Sequence, residues 1–310
     1  MTKKINGAVS IDTDSLDLFY QNIYGKKISE RDITYKLILP RYLDFFKKRR
    51  IKATFFIIGS HIKSRYHKEL LKRMVDEGHE LANHTFSHLL SFSNLSANMK
   101  EKEIAKCENI IRASTGIKPV GFRAPGWDID RKTISILEKR DYLYDSSIFP
   151  TLFNPLSVLM LSLNKKNSKH YASMVNFKTS FAPLSPYRIG NEVYKKGNSK
   201  IFEIPVNSIP PFRLPFYGTF LFASKSELLF DLSLKILASS KIPLNYVLHS
   251  IELYDRDKDI QDNRIKSINH PSVLKSFGYK IKLYNHIFDK FKDYYNISTI
   301  KSLASKIVLD

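Results

Sequence analysis

In the first half of the chain, short apolar runs alternate with longer segments in which apolar residues recur every three or four positions. The short runs are rich in β-branched and aromatic residues and predict strands, whereas the longer segments predict amphipathic helices. The predicted strands cover residues 8–11, 53–58, 80–83 and 120–123, and the predicted helices cover residues 35–48, 63–77 and 96–114. This alternation is typical of β-α units that build a parallel sheet.

The alternation stops near Pro150, after a predicted helix over residues 131–139 and a short strand over residues 142–144. No period holds from there to about residue 200, where prolines recur, so we expect a long irregular insertion. Regular patterns then return. They predict strands over residues 201–205 and 245–249 and helices over residues 224–238, 272–292 and 298–308.

The composition is that of an ordinary globular protein, with 310 residues of which 43% are apolar and 26% are charged. Cys107 is the only cysteine, which excludes an intrachain disulfide and a multi-cysteine metal site and fits a reducing compartment. The sequence has neither an apolar run long enough to span a bilayer nor the apolar core of a signal peptide. We therefore expect a cytoplasmic protein.

The chain is strongly basic, with 50 Lys and Arg residues against 30 acidic ones and a formal net charge of +20. Such a surplus attracts polyanions, but a solvated lysine shell without any partner explains it equally well. Residues 151–200 contain eight basic residues and one acid, Glu192, and are a candidate docking surface. Nothing in the sequence resembles a nucleic-acid-binding module, so we expect no nucleic-acid partner.

Polar clusters follow five of the predicted strands. Taken singly, each has an ordinary explanation, such as a solvated turn, a helix cap or a structural histidine. The two histidines lie four residues apart, and with a carboxylate from elsewhere they can provide the three protein ligands of a catalytic zinc site. The clusters are Asp12-Thr-Asp14, His84-Thr-Phe-Ser-His88, Arg123-Ala-Pro125-Gly126-Trp127, Tyr144-Asp145-Ser-Ser147 and Leu248-His249-Ser250.

In this order the clusters resemble those of the polysaccharide deacetylase family, which shares the NodB homology domain of carbohydrate esterase family 4. The resemblance covers about residues 7–254 and is reinforced by the segments at 53–59 and 77–84. The commoner members have adjacent aspartates, whereas Thr13 separates them here. The spaced form resembles a cytoplasmic branch that includes peptidoglycan deacetylases without signal peptides and deformylases of lipid-linked aminoarabinose.

The resemblance implies an α/β fold, a distorted (β/α)7–8 barrel over residues 1–254 with the basic insertion at 151–200. Residues 255–310 then form a helical extension packed on the same domain. It also implies that Asp14, His84 and His88 hold a divalent metal. Mixed nitrogen and oxygen ligands favour zinc, although nickel and cobalt accept similar ligands.

The family pattern assigns roles to the remaining residues. Asp12 is the general base that takes a proton from the attacking water, and Arg123 pairs with it. His249 protonates the leaving amine, and Asp145 keeps His249 cationic and oriented.

The same pattern uses the Pro125-Gly126 turn to present the Gly126 N–H to the oxyanion, and Trp127 forms a wall against the substrate.

The leading hypothesis is a metal-dependent hydrolase that removes an N-acetyl or N-formyl group from an amino sugar of a cell-envelope glycan or of its lipid- or nucleotide-linked precursor. The basic insertion would contact an anionic membrane at the inner surface. One alternative is hydrolysis of a non-sugar amide such as a cyclic ureide. A third hypothesis, from another class, is a non-catalytic protein that binds glycans or polyanions.

Overall fold

The computed structural model describes residues 4–26, 31–153, 176–260, 262–266, 268 and 270–309. Most strands are parallel and share one curved sheet. The strands are β1 (Ile5–Asp12), β2 (Thr54–Ile57), β3 (Glu80–Asn83), β4 (Gly121–Phe122), β5 (Tyr144–Asp145), β6 (Tyr187–Arg188), β7 (Phe202–Glu203), β8 (Ser208–Ile209), β9 (Leu214–Pro215), β10 (Leu244–His249) and β11 (Tyr295–Ser298). The sheet order is β10-β1-β2-β3-β4-β5-β7-β6, β11 also pairs with β1, and β8 and β9 form a separate hairpin.

Helices connect the strands and cover the outside of the sheet. They are α1 (Leu16–Tyr24), α2 (Arg31–Ile33), α3 (Leu39–Arg49), α4 (Arg65–Asp76), α5 (Ala97–Thr115), α6 (Arg131–Lys139), α7 (Gly218–Ser224), α8 (Glu227–Ser239), α9 (Arg256–Asp259), α10 (Asn263–Lys266), α11 (Phe277–Tyr294) and α12 (Ile300–Leu309). A π-helical stretch, Thr34–Ile38, precedes α3. Within the described ranges, no helix is both long and apolar enough to cross a membrane.

The predicted α/β barrel-like fold is confirmed, because the parallel sheet curls into a half-barrel surrounded by helices. Asparagine side chains bridge the gap between β10 and the segment after β7. The Asn245 N–H donates to Asn207 Oδ1 at 2.6 Å, and Asn245 Nδ2 donates to the carbonyl oxygen of Ile204 at 2.9 Å. Side-chain amides thus connect the two sides of the barrel at a place where no backbone hydrogen-bond ladder joins the strands.

The structure differs from the sequence-based prediction in two segments. The predicted insertion is partly regular, since β6 pairs antiparallel with β7, while its central part, including Lys165, Lys166 and Lys169, lies outside the described residues. The C-terminal region contains β11 between its two long helices, and β11 pairs parallel with the first half of β1. A four-residue strand with two polar residues carries too little pattern to be read from sequence.

Small residues on the strands make room for large ones inside the barrel. Ala8 and Ala82 face the same buried cluster as Phe56, Tyr144 and Phe202. Gly121 on β4 is the tightest case, because a Cβ atom there would lie 2.0 Å from Cζ of Tyr144. Close packing of this kind, with small residues beside large ones, fills barrel interiors without voids.

The strand register brings the polar clusters together at one edge of the sheet. Asp12 at the end of β1 is opposite His249 at the end of β10, and Phe122, which precedes Arg123, is opposite both Asn83 and Asp145. Because parallel strands end at a common edge, residues distant in sequence meet at the carboxyl ends of the strands.

The packing at Gly121 gives a stability prediction. Gly121→Ala should lower the free energy of unfolding by about 2 kcal/mol, because the added methyl group displaces a buried tyrosine ring. Gly278→Ala on α11 is the matched control, since a Cβ there meets nothing within 4 Å. It should be neutral or stabilising by about 0.5 kcal/mol. Urea denaturation of both variants measures this, and equal stabilities would contradict the packing argument.

Candidate active site

Three potential metal ligands converge beyond the ends of β1 and β3. Asp14 Oδ1 lies 2.9 Å from His88 Nε2 and 4.0 Å from His84 Nε2. The ligand atoms of the three residues all lie within 4.8 Å of one another. The sequence-predicted trio is therefore one cluster in space.

The backbone fixes the orientation of the His84 ring. His84 Nδ1 lies 2.7 Å from the carbonyl oxygen of Arg123, which can only accept a hydrogen bond. Nδ1 must therefore carry the proton, and the lone pair of Nε2 faces Asp14. Burial lowers the pKa of His84, which favours the neutral ring that binds metals.

Asn83 shapes the loop that carries both histidines, and sequence reasoning did not single it out. Its Oδ1 accepts from the Thr85 N–H at 2.9 Å, and its Nδ2 donates to the Tyr142 hydroxyl at 2.8 Å. Thr85 and His88 both adopt positive φ, and the His88 N–H donates to Thr85 Oγ1 at 3.1 Å. An asparagine directly before a histidine pair is the local signal, because its side chain can close such a turn.

The chemistry of the trio fits a divalent cation. Asp14 Oδ1 is buried and makes no aligned hydrogen bond within the part of the chain that the structure describes. Burial alone would raise the pKa of Asp14, but His88, with smaller contributions from His84 and His249, brings it well below the usual range. An anionic oxygen beside two imidazole nitrogens is a donor set that zinc, nickel and cobalt accept, and it leaves coordination positions open.

Asp12 and Arg123 form a buried pair next to the trio. Arg123 Nη1 donates to Asp12 Oδ1 at 2.5 Å, its Nε donates to the Ser146 carbonyl oxygen at 2.9 Å, and its Cζ lies 3.9 Å from the centre of the Phe56 ring. A buried guanidinium needs such partners for its donors. The pair fixes one oxygen of Asp12 and leaves Oδ2 on the side of His249, at 3.9 Å from Nε2.

The turn after Arg123 borders the same space. Gly126 has a φ of 62°, and Ala124 at the start of the turn donates its N–H to Ser147 Oγ at 2.8 Å. The Trp127 ring packs 4.9 Å from Phe149 and 6.1 Å from His249, measured between ring centres. Trp127 is therefore a wall of the site, as expected, whereas Pro125 is buried behind it.

Asp145 does not accompany His249, which corrects the expected pairing. Its Oδ1 accepts from Ser147 Oγ at 2.6 Å, and it faces Glu203 across the β5–β7 pair. Both acids are fully buried, and burial together with the charge of Asp145 holds the pKa of Glu203 well above its usual range. The carboxylate of Asp145 is thus committed to Ser147 and to the side of Glu203.

Glu252 is the acid beside His249, and sequence reasoning missed it. Its Oε1 lies 3.6 Å from His249 Nδ1, three residues away in the turn after β10. Burial lowers the pKa of His249, but Glu252, followed by Asp12 and Asp14, raises it to about 9 in total. The available signal in the sequence was an acid that follows a histidine by three residues at the end of a predicted strand.

A cavity of about 150 Å³ joins these groups and has room for several water molecules. Of the residues predicted for the site, Arg123, Pro125 and Asp145 are buried and do not line this cavity. One side of the cavity is lined by residues of α1, whose side chains there are apolar or carry an amide. Sequence reasoning missed these residues because this helix was not predicted. The lining consists of Asp12, Asp14, Leu18, Phe19, Asn22, His84, His88, Leu90, Ala124, Gly126, Trp127 and His249.

Comparison with known families agrees with this geometry. Residues 32–144 match the model of the polysaccharide deacetylase family, a range that contains the histidine pair and Arg123. Over these residues the chain resembles a polysaccharide deacetylase domain. The matched range carries the clusters of His84 and Arg123, whereas Asp12, Asp14, Asp145 and His249 lie outside it.

Curated relatives match the domain over part of their length. A peptidoglycan deacetylase of Helicobacter pylori is 32% identical over 163 residues, which are 51% of this chain and 54% of the relative. A peptidoglycan-N-acetylmuramic acid deacetylase of Bacillus subtilis is 36% identical over 103 residues, 33% of this chain and 21% of the relative. The chain thus spans about half of the first relative and about a fifth of the second.

A solved structure extends the likeness of fold to the whole chain. The crystal structure of a candidate polysaccharide deacetylase from Mycobacterium smegmatis superposes with a TM-score of 0.62 at 15% identity. The alignment covers 100% of this chain and 92% of the other. At this identity the likeness concerns the fold alone, and it supports the barrel-like architecture.

The trio gives a binding prediction that needs no substrate. His84→Ala, His88→Ala and Asp14→Asn should each weaken zinc binding by more than about 100-fold. Loss of a direct ligand should cost more than loss of a residue that only orients a ligand, which typically costs about 10- to 100-fold. His286→Ala on α11, which pairs with Asp231 outside the site, should leave the affinity unchanged. Calorimetric titration measures this. Unchanged affinity in the His88→Ala variant would rule out the proposed ligand set.

Proposed function

We propose that this protein is a metal-dependent hydrolase that removes an N-acetyl or N-formyl group from an amino sugar of a cell-envelope glycan or its lipid-linked precursor. One observation carries the proposal: the trio of Asp14, His84 and His88 lies in one cavity with Asp12 and His249. The peptidoglycan deacetylase names of the relatives support the class of substrate.

The trio would hold a divalent cation, which supplies Lewis-acid polarisation of the acyl carbonyl and of a water molecule. Asp12 accepts a proton from the attacking water through Oδ2, because Arg123 occupies Oδ1. The attack converts the planar amide into a tetrahedral oxyanion. The turn at Gly126 borders the cavity where that negative charge develops.

The leaving nitrogen of an amino sugar is a poor leaving group unless it is protonated. His249 lines the same cavity as the histidine pair, and its Nε2 faces Asp12. The C–N bond breaks with its electron pair going to nitrogen, and His249 delivers the proton to that nitrogen. Base and acid are thus separate residues held on the neighbouring strands β1 and β10.

Two substitutions separate the roles of base and acid. Asp12→Asn should abolish hydrolysis of an N-acetylated chitooligosaccharide while zinc content is retained, because an amide conserves shape but cannot accept the proton. His249→Ala should retain zinc and slow the reaction by about 10²–10⁴-fold. Metal analysis and amine release measure both effects. Loss of zinc in Asp12→Asn would make Asp12 a ligand, and an unchanged rate in His249→Ala would remove it from the mechanism.

We also propose that the enzyme works in the cytoplasm, at the inner membrane surface, on a lipid- or nucleotide-linked precursor. The described part of the 151–200 segment supports a membrane contact, since Phe153, Phe177 and Phe181 are 44%, 41% and 68% exposed. Lys178 adds positive charge between them. Exposed aromatic rings beside cations suit the interface of an anionic leaflet.

Salt dependence tests this contact. Binding to vesicles containing anionic lipid should fall steeply between 0.1 and 1 M salt, because the Debye length shrinks from about 10 to about 3 Å. Reversing Lys165, Lys166 and Lys169 to Glu should weaken binding by about 1 kcal/mol or more per residue. It should also lower activity on a lipid-linked sugar and spare a short soluble one. Indifference of the wild type to anionic vesicles at low salt would reject the contact.

A further inference from the structure

Glu252 is a buried carboxylate at the end of β10 with a complete set of partners. The residue is fully inaccessible to solvent. Its Oε1 accepts from Thr219 Oγ1 at 2.8 Å and lies 3.6 Å from His249 Nδ1, and its Oε2 accepts from the Tyr284 hydroxyl at 2.7 Å. Burying a carboxylate costs several kcal/mol unless it is hydrogen-bonded, so this arrangement needs all three neighbours.

Surrounding elements are shaped around this carboxylate. A Cβ atom on Gly218, at the start of α7, would lie 2.3 Å from Glu252 Oε2, so only glycine leaves room for it. Tyr284 comes from α11 in the C-terminal region. The Tyr42 hydroxyl, on α3, donates to the His249 carbonyl oxygen at 2.9 Å and lies 3.2 Å from the Tyr284 hydroxyl. Two helices outside the barrel thus hold both Glu252 and the backbone of His249.

The position of Glu252 relative to the imidazole decides what it can do. A carboxylate facing Nδ1 keeps the proton on that nitrogen in the neutral ring and directs Nε2 away from itself. Nε2 then faces Asp12 Oδ2 at 3.9 Å and the cavity. The rings of Trp127 and Tyr217, with centres 6.1 and 6.2 Å from that of His249, restrict its rotation.

We propose that Glu252 is the positioning residue of His249 and that the C-terminal region takes part in the active site through Tyr284. The inference rests on the proposed function, because it assumes that His249 delivers a proton to the leaving nitrogen. Glu252 transfers no proton itself. It keeps its charge while the proton moves from Nε2 to nitrogen and the C–N bond breaks. Glu252 thus orients His249, the role that the family pattern assigns to Asp145, although Glu252 follows β10 and Asp145 ends β5.

Two acetyl substrates distinguish positioning from general structural support. An N-acetylated chitooligosaccharide needs protonation of its leaving nitrogen, whereas p-nitrophenyl acetate releases a weakly basic phenolate that needs none. In the zinc-loaded enzyme, Glu252→Gln should lower kcat on the amide by about 10- to 100-fold, the effect usual for an orienting partner, and leave KM unchanged. An amide at this place favours the wrong imidazole tautomer. The ester rate should stay within about threefold, since no general acid is needed.

Further variants test the chain of contacts. Tyr284→Phe should lower the amide rate in the same selective way by about three- to tenfold, because it removes one donor to a charged group. Glu252→Asp should recover part of the Glu252→Gln loss. Adding Glu252→Gln to His249→Ala should cause no further loss, since both act through one proton transfer.

Matched controls come from buried residues of the same types. Glu80→Gln removes a carboxylate that binds Thr54 and Tyr144 at the start of β3, and Tyr295→Phe removes a hydroxyl that donates to the Ile242 carbonyl oxygen. Neither should change the ratio of amide to ester rates. Equal loss on both substrates in Glu252→Gln, or an additive double variant, would show that Glu252 is only structural.

A spectroscopic measurement decides the inference even if no sugar substrate is turned over. In ¹⁵N spectra of the zinc-loaded protein, recorded at a pH high enough that the His249 ring is neutral, the His249 signals, assigned by their loss in His249→Ala, should show a proton on Nδ1. Glu252→Gln should shift that proton toward Nε2. A wild type that hydrolyses no N-acyl sugar would refute the proposed function, whereas an identical His249 spectrum in both proteins would refute the positioning role alone.

Discussion

The buried guanidinium of Arg123 is the group on which the geometry of the site depends. It cannot lose its charge, so each of its donors must find an acceptor away from water. The acceptors come from two strands, Asp12 and Ser10 on β1 and the segment of Ser146 that follows β5. The Arg123 carbonyl oxygen also accepts from His84 Nδ1. One residue thereby fixes the distance between the proposed base and a proposed metal ligand.

Sequence reasoning predicted those features that arise from local pattern. The strand over residues 80–83 and the order of polar clusters at strand ends follow from periodicity, and the trio of Asp14, His84 and His88 meets because parallel strands share one edge. Features that depend on packing between distant segments were not predictable. The strand β11 is only four residues long, too short for its alternation of apolar and polar residues to be recognised, and it pairs with the first half of β1, which β2 leaves free.

The partner of His249 shows the same limit at the level of a single side chain. The family pattern pointed to Asp145, an acid directly after the predicted strand over residues 142–144, but the carboxylate of Asp145 is committed to Ser147 and to the pair with Glu203. Glu252 can be buried beside His249 only because Thr219 and Tyr284, from helices far along the chain, satisfy it. A single sequence does not reveal which acid will find such partners.

The pairing of β11 with β1 has a consequence for how the chain reaches its native state. Residues Ile5–Ala8 hold register with Tyr295–Ser298, so β1 is completed by a strand that follows it by about 290 residues in the chain. Contacts between such distant segments carry a large loop-closure entropy and slow folding. During synthesis this edge of β1 therefore stays open until residues 295–298 have emerged from the ribosome.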